Sequence, residues 1–373
     1  MKKVGRETLL LSCNENNLRN GEGSFLRLKD GGIVYAYTKY YGGGGEDHDT
    51  ASIFAVYSYD EGETWSESQE FFAKPDDALN IMSCSLLRMQ NGDLGLFYLK
   101  KQMVDGEVIC NPIFHRSTDE GKTFSDGIFV CEKSSYYCLI NDRVITLKNG
   151  RIIMAVANHR KDCDKGTKAG IIETYYSDDD GKTFKKSLTD VYSPINDAGG
   201  LMEPGLLELP DGKLWLYART NYGYQYQSFS NDGGLTWSKA EPNYKITSPS
   251  APMLSRNIGK YNFTIFNPMP HSTLFSRYEN WIKIKYTRTP FVMAVFEDGG
   301  KELTNNDYSS GTGEFLPFIK RCYFIEDDFT ESYCYPTLIE VNGGVLVAYY
   351  YSNGSGQMLN SARIKKISFA ELD

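Results

Sequence analysis

Five short stretches of the chain alternate apolar and polar residues on either side of a tight-turn dipeptide. Phe25-Leu26-Arg27-Leu28-Lys29-Asp30-Gly31 runs into Ile33-Val34-Tyr35-Ala36-Tyr37. The same order recurs from Leu86-Leu87 to Asn91-Gly92, Val144-Ile145 to Asn149-Gly150, Leu206-Leu207 to Asp211-Gly212, and Leu338-Ile339 to Gly343-Gly344. A period of two places alternate side chains on opposite faces of a strand, and Asp/Asn-Gly supplies the backbone freedom that a two-residue connection needs. Each stretch therefore predicts a β-hairpin.

Between the hairpins lies a second repeat, S-x-D-x-G-x-T-W/F. It occurs at Ser58–Trp65, Ser117–Phe124, Ser177–Phe184 and Ser230–Trp237, with a degenerate copy at Phe296-Glu297-Asp298-Gly299-Gly300. The motif aspartates stand at 60, 119, 179, 232 and 298, at spacings of 59, 60, 53 and 66 residues. Such a period is that of one four-stranded propeller blade per repeat. Asp can accept N–H bonds within its own turn, Gly takes a positive φ, and Ser or Thr adds a further bond, so the motif reads as a structural staple. Blades fall near 25–60, 84–120, 140–180, 200–235, 250–300 and 333–352. The expected fold is all-β, a six-bladed β-propeller of four-stranded antiparallel blades forming a single domain over 1–373. An N-terminal strand is expected to close the ring, and the first two strands of each blade to line its axis.

Aromatic residues make up 14% of the chain, with 27 Tyr and 20 Phe, which suits strands and also sugar-binding surfaces. The formal net charge is −8. No basic stripe is present to neutralise phosphates, so no nucleic-acid partner is expected. No run of about 18 apolar residues suggests a membrane span. Glu7 and Thr8 interrupt the start of the chain, so no secretion signal is read. The cysteines at 13, 84, 110, 131, 138, 163, 322 and 334 form no C-x-x-C pair. They read as reduced thiols of a cytoplasmic protein, without a metal site or cofactor.

The stretch Met202-Glu203-Pro204-Gly205 through Asp211-Gly212 to Leu216-Tyr217-Ala218-Arg219 resembles a signature of the sialidase superfamily. Tyr335-Pro336-Thr337-Leu338 ahead of Gly343-Gly344 resembles that family's nucleophile-bearing blade, and Arg288-Thr289-Pro290-Phe291 its last substrate-binding arginine. The whole series of motifs is similar to bacterial sialidase-like proteins with BNR (Asp-box) repeats. The resemblance implies Tyr335 as nucleophile, Glu203 as its base, and Arg219 and Arg288 as carboxylate ligands. A neutral phenol avoids the repulsion that a carboxylate nucleophile would meet beside an anionic sugar. An arginine fork matches a carboxylate. The family's general acid is an Asp after the first hairpin; here Glu46-Asp47-His48-Asp49 stands there, with Asp49 preferred and Asp47 the alternative. His48 and Arg143 are further candidates for substrate binding.

The family's first arginine, ahead of an Ile-Pro, has no match. Counting back from Asp30 reaches Gly21 and Glu22, with Arg19 nearby. The expectation is an exo-acting glycoside hydrolase cleaving a terminal, acidic sugar. A polysaccharide lyase or a non-catalytic glycan-binding propeller is the alternative, and in each case the partner is a carbohydrate.

Overall fold

The alternating hairpins become the inner half of six antiparallel sheets, each four strands deep. The computed structural model describes residues 1–373 except 133–134, 160–168, 197–198, 270–287, 307–318, 320, 329 and 353–358. Blade one comprises Arg19–Arg27, Ile33–Tyr40, Ala51–Ser58 and Gln69–Phe72; blade two Asn80–Arg88, Leu94–Val104, Glu107–Ser117 and Ile128–Phe129. Blade three begins with an inner strand broken into Tyr137–Cys138 and Ile145–Thr146, both paired with Ile152–Asn158, and continues with Ile171–Ser177 and Lys185–Lys186. Blade four is Met202–Glu208, Leu214–Arg219, Tyr224–Ser230 and Glu241–Thr247; blade five Leu254–Ile258, Tyr261–Phe266, Phe291–Phe296 and Cys322–Glu326. Blade six contains Ser332–Val341, Gly344–Ser352 and Ser361–Ser368, and its outer strand is Arg6–Leu11 from the N-terminus, paired Arg6 to Lys366 and Leu11 to Ala362. The ring closes as the sequence led one to expect.

Apolar burial sits between blades, with one cluster at each of the six junctions. The closing junction packs Phe25, Tyr35, Tyr37 and Val56 of blade one against Val341, Leu346, Ala348 and Ile364 of blade six. Inner strands are packed on both faces: Ile152, Met154 and Val156 face blade two while Ile153, Ala155 and Ala157 face blade four, which is why Ile152–Asn158 is buried throughout.

The repeated turn connects the third and fourth strands, at the end of the ring opposite the start of the inner strands. In Ser230–Trp237 the Asp232 carboxylate accepts from Ser230 Oγ at 2.7 Å, Leu235 N at 3.0 Å, Thr236 N at 2.9 Å and Thr236 Oγ1 at 2.6 Å. Asp60, Asp119 and Asp179 do the same. The motif glycine fits where nothing larger can: a Cβ on Gly121 (φ 89°) would lie 2.5 Å from the Phe71 ring of the preceding blade. In the degenerate copy Asp298 accepts from Gly300 N and Glu302 N, and the chain enters a one-turn helix, Lys301–Thr304.

At the axis, blade three supplies a polar hub where its inner strand breaks. Asp142 accepts from Ser24 Oγ (3.0 Å, blade one) and Thr337 Oγ1 (2.5 Å, blade six) and pairs with Arg256 (2.9 Å, blade five). Arg143 donates to the carbonyls of Asn141, Pro336 and Met253 at 2.8, 3.1 and 2.8 Å. Its own N–H donates to Ser85 Oγ of blade two. Burial pulls the Arg143 guanidinium below its usual pKa, with Tyr217 and Asp142 opposing.

Two outcomes follow. Hydrogen bonds from the threonine hydroxyl and the turn N–H groups hold Asp60, Asp119 and Asp179 at about 2; slight burial opposes this in Asp232, and the same bonds still hold it at about 2. These folded values lie below the unfolded value of about 3.9. Their stabilisation is therefore present above pH ~4 and is lost as pH falls towards 2. Asp232→Ala should lower stability by about 1 kcal/mol at neutral pH, and by less near pH 2, in denaturant melts. Arg143→Met strands hub carbonyls from three blades and should cost about 3 kcal/mol or more in the same assay.

Candidate active site

Strand geometry brings the candidate residues together through one local device. In four of the six blades the inner strand carries a bulge ahead of the regular hairpin, at which one residue takes the left-handed conformation. The residues are Glu22 (φ 53°), Ser83 (φ 56°), Glu203 (φ 45°) and Tyr335 (φ 57°) in blades one, two, four and six. Strand register shifts at each of them, between Gly21 and Ser24, Met82 and Ser85, Met202 and Gly205, and Cys334 and Thr337. Left-handed backbone at Glu and Tyr costs about 1 kcal/mol or more, and a bulge re-aims the side chain it carries. In blades one, two and six the residue two positions further along, Ser24, Ser85 or Thr337, bonds to Asp142 or Arg143 of the hub. The bulge residues thus form the layer above it.

In that layer Tyr335 Oη donates to Glu203 Oε1 at 2.5 Å. Arg219 Nη1 donates to Glu203 Oε2 at 2.6 Å, and Arg219 Nε to Ser250 Oγ at 3.0 Å. Arg219 ends the second strand of blade four, where its register partner is Met202, and so it stands beside Glu203. Arg288 is pinned between blades five and six by its main chain: its N–H donates to Ser332 Oγ and its carbonyl accepts from Tyr333 N and Asn267 Nδ2. Its guanidinium lies 5.5 Å from the centre of the Tyr335 ring and donates to Cys334 Sγ at 3.0 Å. Among the described residues Arg288 forms no ion pair.

Burial pushes the Glu203 carboxyl up, but Arg219, Arg288 and the bonds from Arg219 and Tyr335 outweigh it and hold Glu203 below the usual carboxylate range. Burial, then the neighbouring Glu203 charge, drives the Tyr335 phenol well above its usual value. The resting state is a neutral phenol hydrogen-bonded to an ionised carboxylate. Burial keeps Cys334 a thiol, pushed up to about 11 against the opposing Arg288 charge.

On the blade-one side, Arg19 donates Nη1 to Asp47 Oδ1 at 2.6 Å, Nη2 to Glu22 Oε1 at 3.0 Å and Nε to Tyr350 Oη at 2.8 Å. The Tyr350 ring meets the Tyr335 ring edge to face at 5.6 Å, joining the two halves. The Asp47 carbonyl is clamped by Asn80 Nδ2 (2.9 Å) and Lys101 Nζ (2.5 Å) of blade two, which fixes its carboxylate over Arg19. Burial pushes the Asp47 carboxyl up; Arg19 and Lys101 win and hold it below the usual range.

Glu203, Tyr335, Arg219, Arg288 and Asp47 therefore converge, and three of the sequence candidates go elsewhere. Asp49, the first choice for an acid, spends Oδ2 on Gly44 N (2.7 Å) and Glu46 N (2.8 Å), stapling its own turn. Arg143 is committed to hub carbonyls. His48 turns its ring towards Tyr136, 6.5 Å between centres. Glu22 and Tyr350 were not singled out from the sequence. A signal for Glu22 existed: it stands eight residues before the turn residue Asp30, as Glu203 stands eight before Asp211.

Comparison with known proteins agrees with the ring. No curated protein sequence matches the chain. A leech intramolecular trans-sialidase superposes with a TM-score of 0.70 at 16% identity, over 100% of this chain and 71% of that one. The intramolecular trans-sialidase of Ruminococcus gnavus gives 0.68 at 17%, over 94% of both chains. A Dyadobacter fermentans protein of unknown function gives 0.69 at 18%, over 97% and 99%. At these identities the likeness is one of fold. The model of the BNR repeat-like domain matches residues 35–348, most of the chain. With six blades, four of them stapled by Asp-box turns, the chain belongs to the BNR repeat-like domain family.

Proposed function

We propose that the protein is an exo-acting glycoside hydrolase that removes a terminal acidic sugar by double displacement on Tyr335. The observation that carries this reading is the 2.5 Å bond from Tyr335 Oη to Glu203 Oε1, with Arg219 on the other carboxylate oxygen. A phenol is a poor nucleophile at its raised pKa, and a base already hydrogen-bonded to its proton lowers that barrier. As Tyr335 Oη bonds to the anomeric carbon, its proton passes to Glu203. The glycosidic C–O bond breaks, and the leaving oxygen takes a proton from Asp47. Asp47 then deprotonates a water that attacks the same carbon; the phenolate departs and recovers its proton from Glu203. Two inversions retain the anomeric configuration. Arg288, beside the Tyr335 ring and without an ion-pair partner among the described residues, receives the sugar carboxylate. Similarity to proteins named as trans-sialidases supports a carbohydrate ligand.

The test is hydrolysis of fluorogenic sialosides and uronides. Tyr335→Phe and Glu203→Gln should each lose roughly a thousandfold or more in kcat. Full activity in both variants would refute the reading, and an ultraviolet-absorbing unsaturated product would move it to a lyase. Asp47→Asn should slow substrates with poor leaving groups far more than those with acidic phenol leaving groups, whereas Asp49→Asn should not discriminate between them.

The pH profile has a defined sign. Glu203 must be ionised and lies below its usual range, so the acid limb of kcat/KM falls at a pH under about 4.5. Asp47 must carry a proton yet Arg19 and Lys101 hold it below the usual carboxylate range, so kcat/KM declines as pH rises through about 4, well before neutrality. Asp47→Asn should flatten that second limb.

A further inference from the structure

The three arginines of the axial cluster are not equivalent. Arg288 donates to a thiol, and Arg219 divides its bonds between Glu203 and Ser250. Arg19 is spent: two carboxylates, the Tyr350 hydroxyl and, at 3.4 Å, the Gly45 carbonyl occupy its Nε and both terminal nitrogens. Its inner partner, Glu22, is fixed on every side. Glu22 sits on a left-handed bulge, its side chain is 4% exposed, and its second oxygen accepts a short bond from Ser83 Oγ, the bulge residue of blade two. Tyr350 Oη approaches Glu22 Oε1 at 3.4 Å. A buried carboxylate held this way binds its guanidinium more strongly than a solvated one, because water competes for neither group.

Building on the reading above, we infer that Glu22 is a positioning residue that sets substrate class by withholding Arg19 from the ligand. An anion on this side would have to displace two carboxylates and would leave Glu22 buried without its counter-charge. The sugar acid this site takes therefore rests its single carboxylate on Arg288 and Arg219. Towards the Asp47 carboxylate it presents hydroxyl or ammonium donors. A glycone needing three guanidinium groups on one carboxylate is disfavoured.

Calorimetric titration of the full chain with 2-deoxy-2,3-didehydro-N-acetylneuraminic acid tests this, because that probe carries one carboxylate on a planar ring. Glu22→Gln removes the inner of the two counter-charges on Arg19 and should bind the probe roughly tenfold tighter than the natural chain, with no gain towards its uncharged methyl ester. A merely structural role for Glu22 would move both ligands alike. Glu22 is buried, so a second variant guards against misfolding. Arg19→Met/Glu22→Met replaces the pair with apolar side chains of similar volume, a change buried ion pairs commonly tolerate, and should bind within about threefold of the natural chain. Arg288→Met should bind roughly tenfold more weakly. Unchanged, weaker or undetectable binding by Glu22→Gln, or a tenfold loss in the double variant, would overturn the inference. These are equilibrium measurements, so absent turnover with the predicted affinities intact would count against the hydrolase reading alone.

Discussion

A carboxylate taken out of water must be compensated by its neighbours, and at the centre of this ring that carboxylate is Glu203. Desolvation alone would protonate it; Arg219 at 2.6 Å and the charge of Arg288 keep it ionised. That balance gives Tyr335 something to donate to. It also leaves the phenol neutral at rest, so the pair is primed without holding a free phenolate. Remove either arginine and the proton moves towards Glu203, which could then no longer serve as base.

Such balance requires side chains from distant parts of the chain to meet within hydrogen-bond distance, and the ring achieves this through two stacked layers. The lower is the hub, where Asp142 and Arg143 bind side chains and carbonyls from blades one, two, five and six. The upper is the set of bulge residues. Asn141 joins the layers directly, donating to the Gly23 and Tyr335 carbonyls at 2.7 and 3.3 Å. The backbone that holds the nucleophile candidate is thereby tied to the hub. Asp-box turns lie at the far end of blades one to four, which accounts for their role as staples.

The architecture was readable because its signals are local. Asp-Gly hairpins, a recurring Asp box and the spacing between copies are properties of consecutive residues, and they returned six blades and the closing strand. Blade boundaries were less legible. Alternation in blade one was visible from Phe25, whereas the strand begins at Arg19, because the bulge at Glu22 breaks the period of two. The site was legible where a residue sits at a fixed offset from a turn, as with Glu203 and Arg219. It was not legible where loop conformation decides, so the sequence put Asp49 ahead of Asp47. The folded loop distinguishes them, turning the Asp47 carboxylate onto Arg19 and that of Asp49 back onto Gly44 N and Glu46 N. Arg143 resembled a site arginine because a buried charge needs partners, and no local pattern shows that those partners are backbone carbonyls.

The convergence of Glu203 and Tyr335 acquires chemical meaning only if the phenol forms a bond to the sugar. Incubation with a fluorinated sialosyl or uronosyl fluoride, whose fluorine slows the second displacement, followed by peptide mass spectrometry, tests that bond directly. The account predicts one glycosyl adduct, on the peptide containing Tyr335 and absent from Tyr335→Phe. Steady hydrolysis of an unfluorinated substrate with no adduct, or an adduct on another residue, would contradict it.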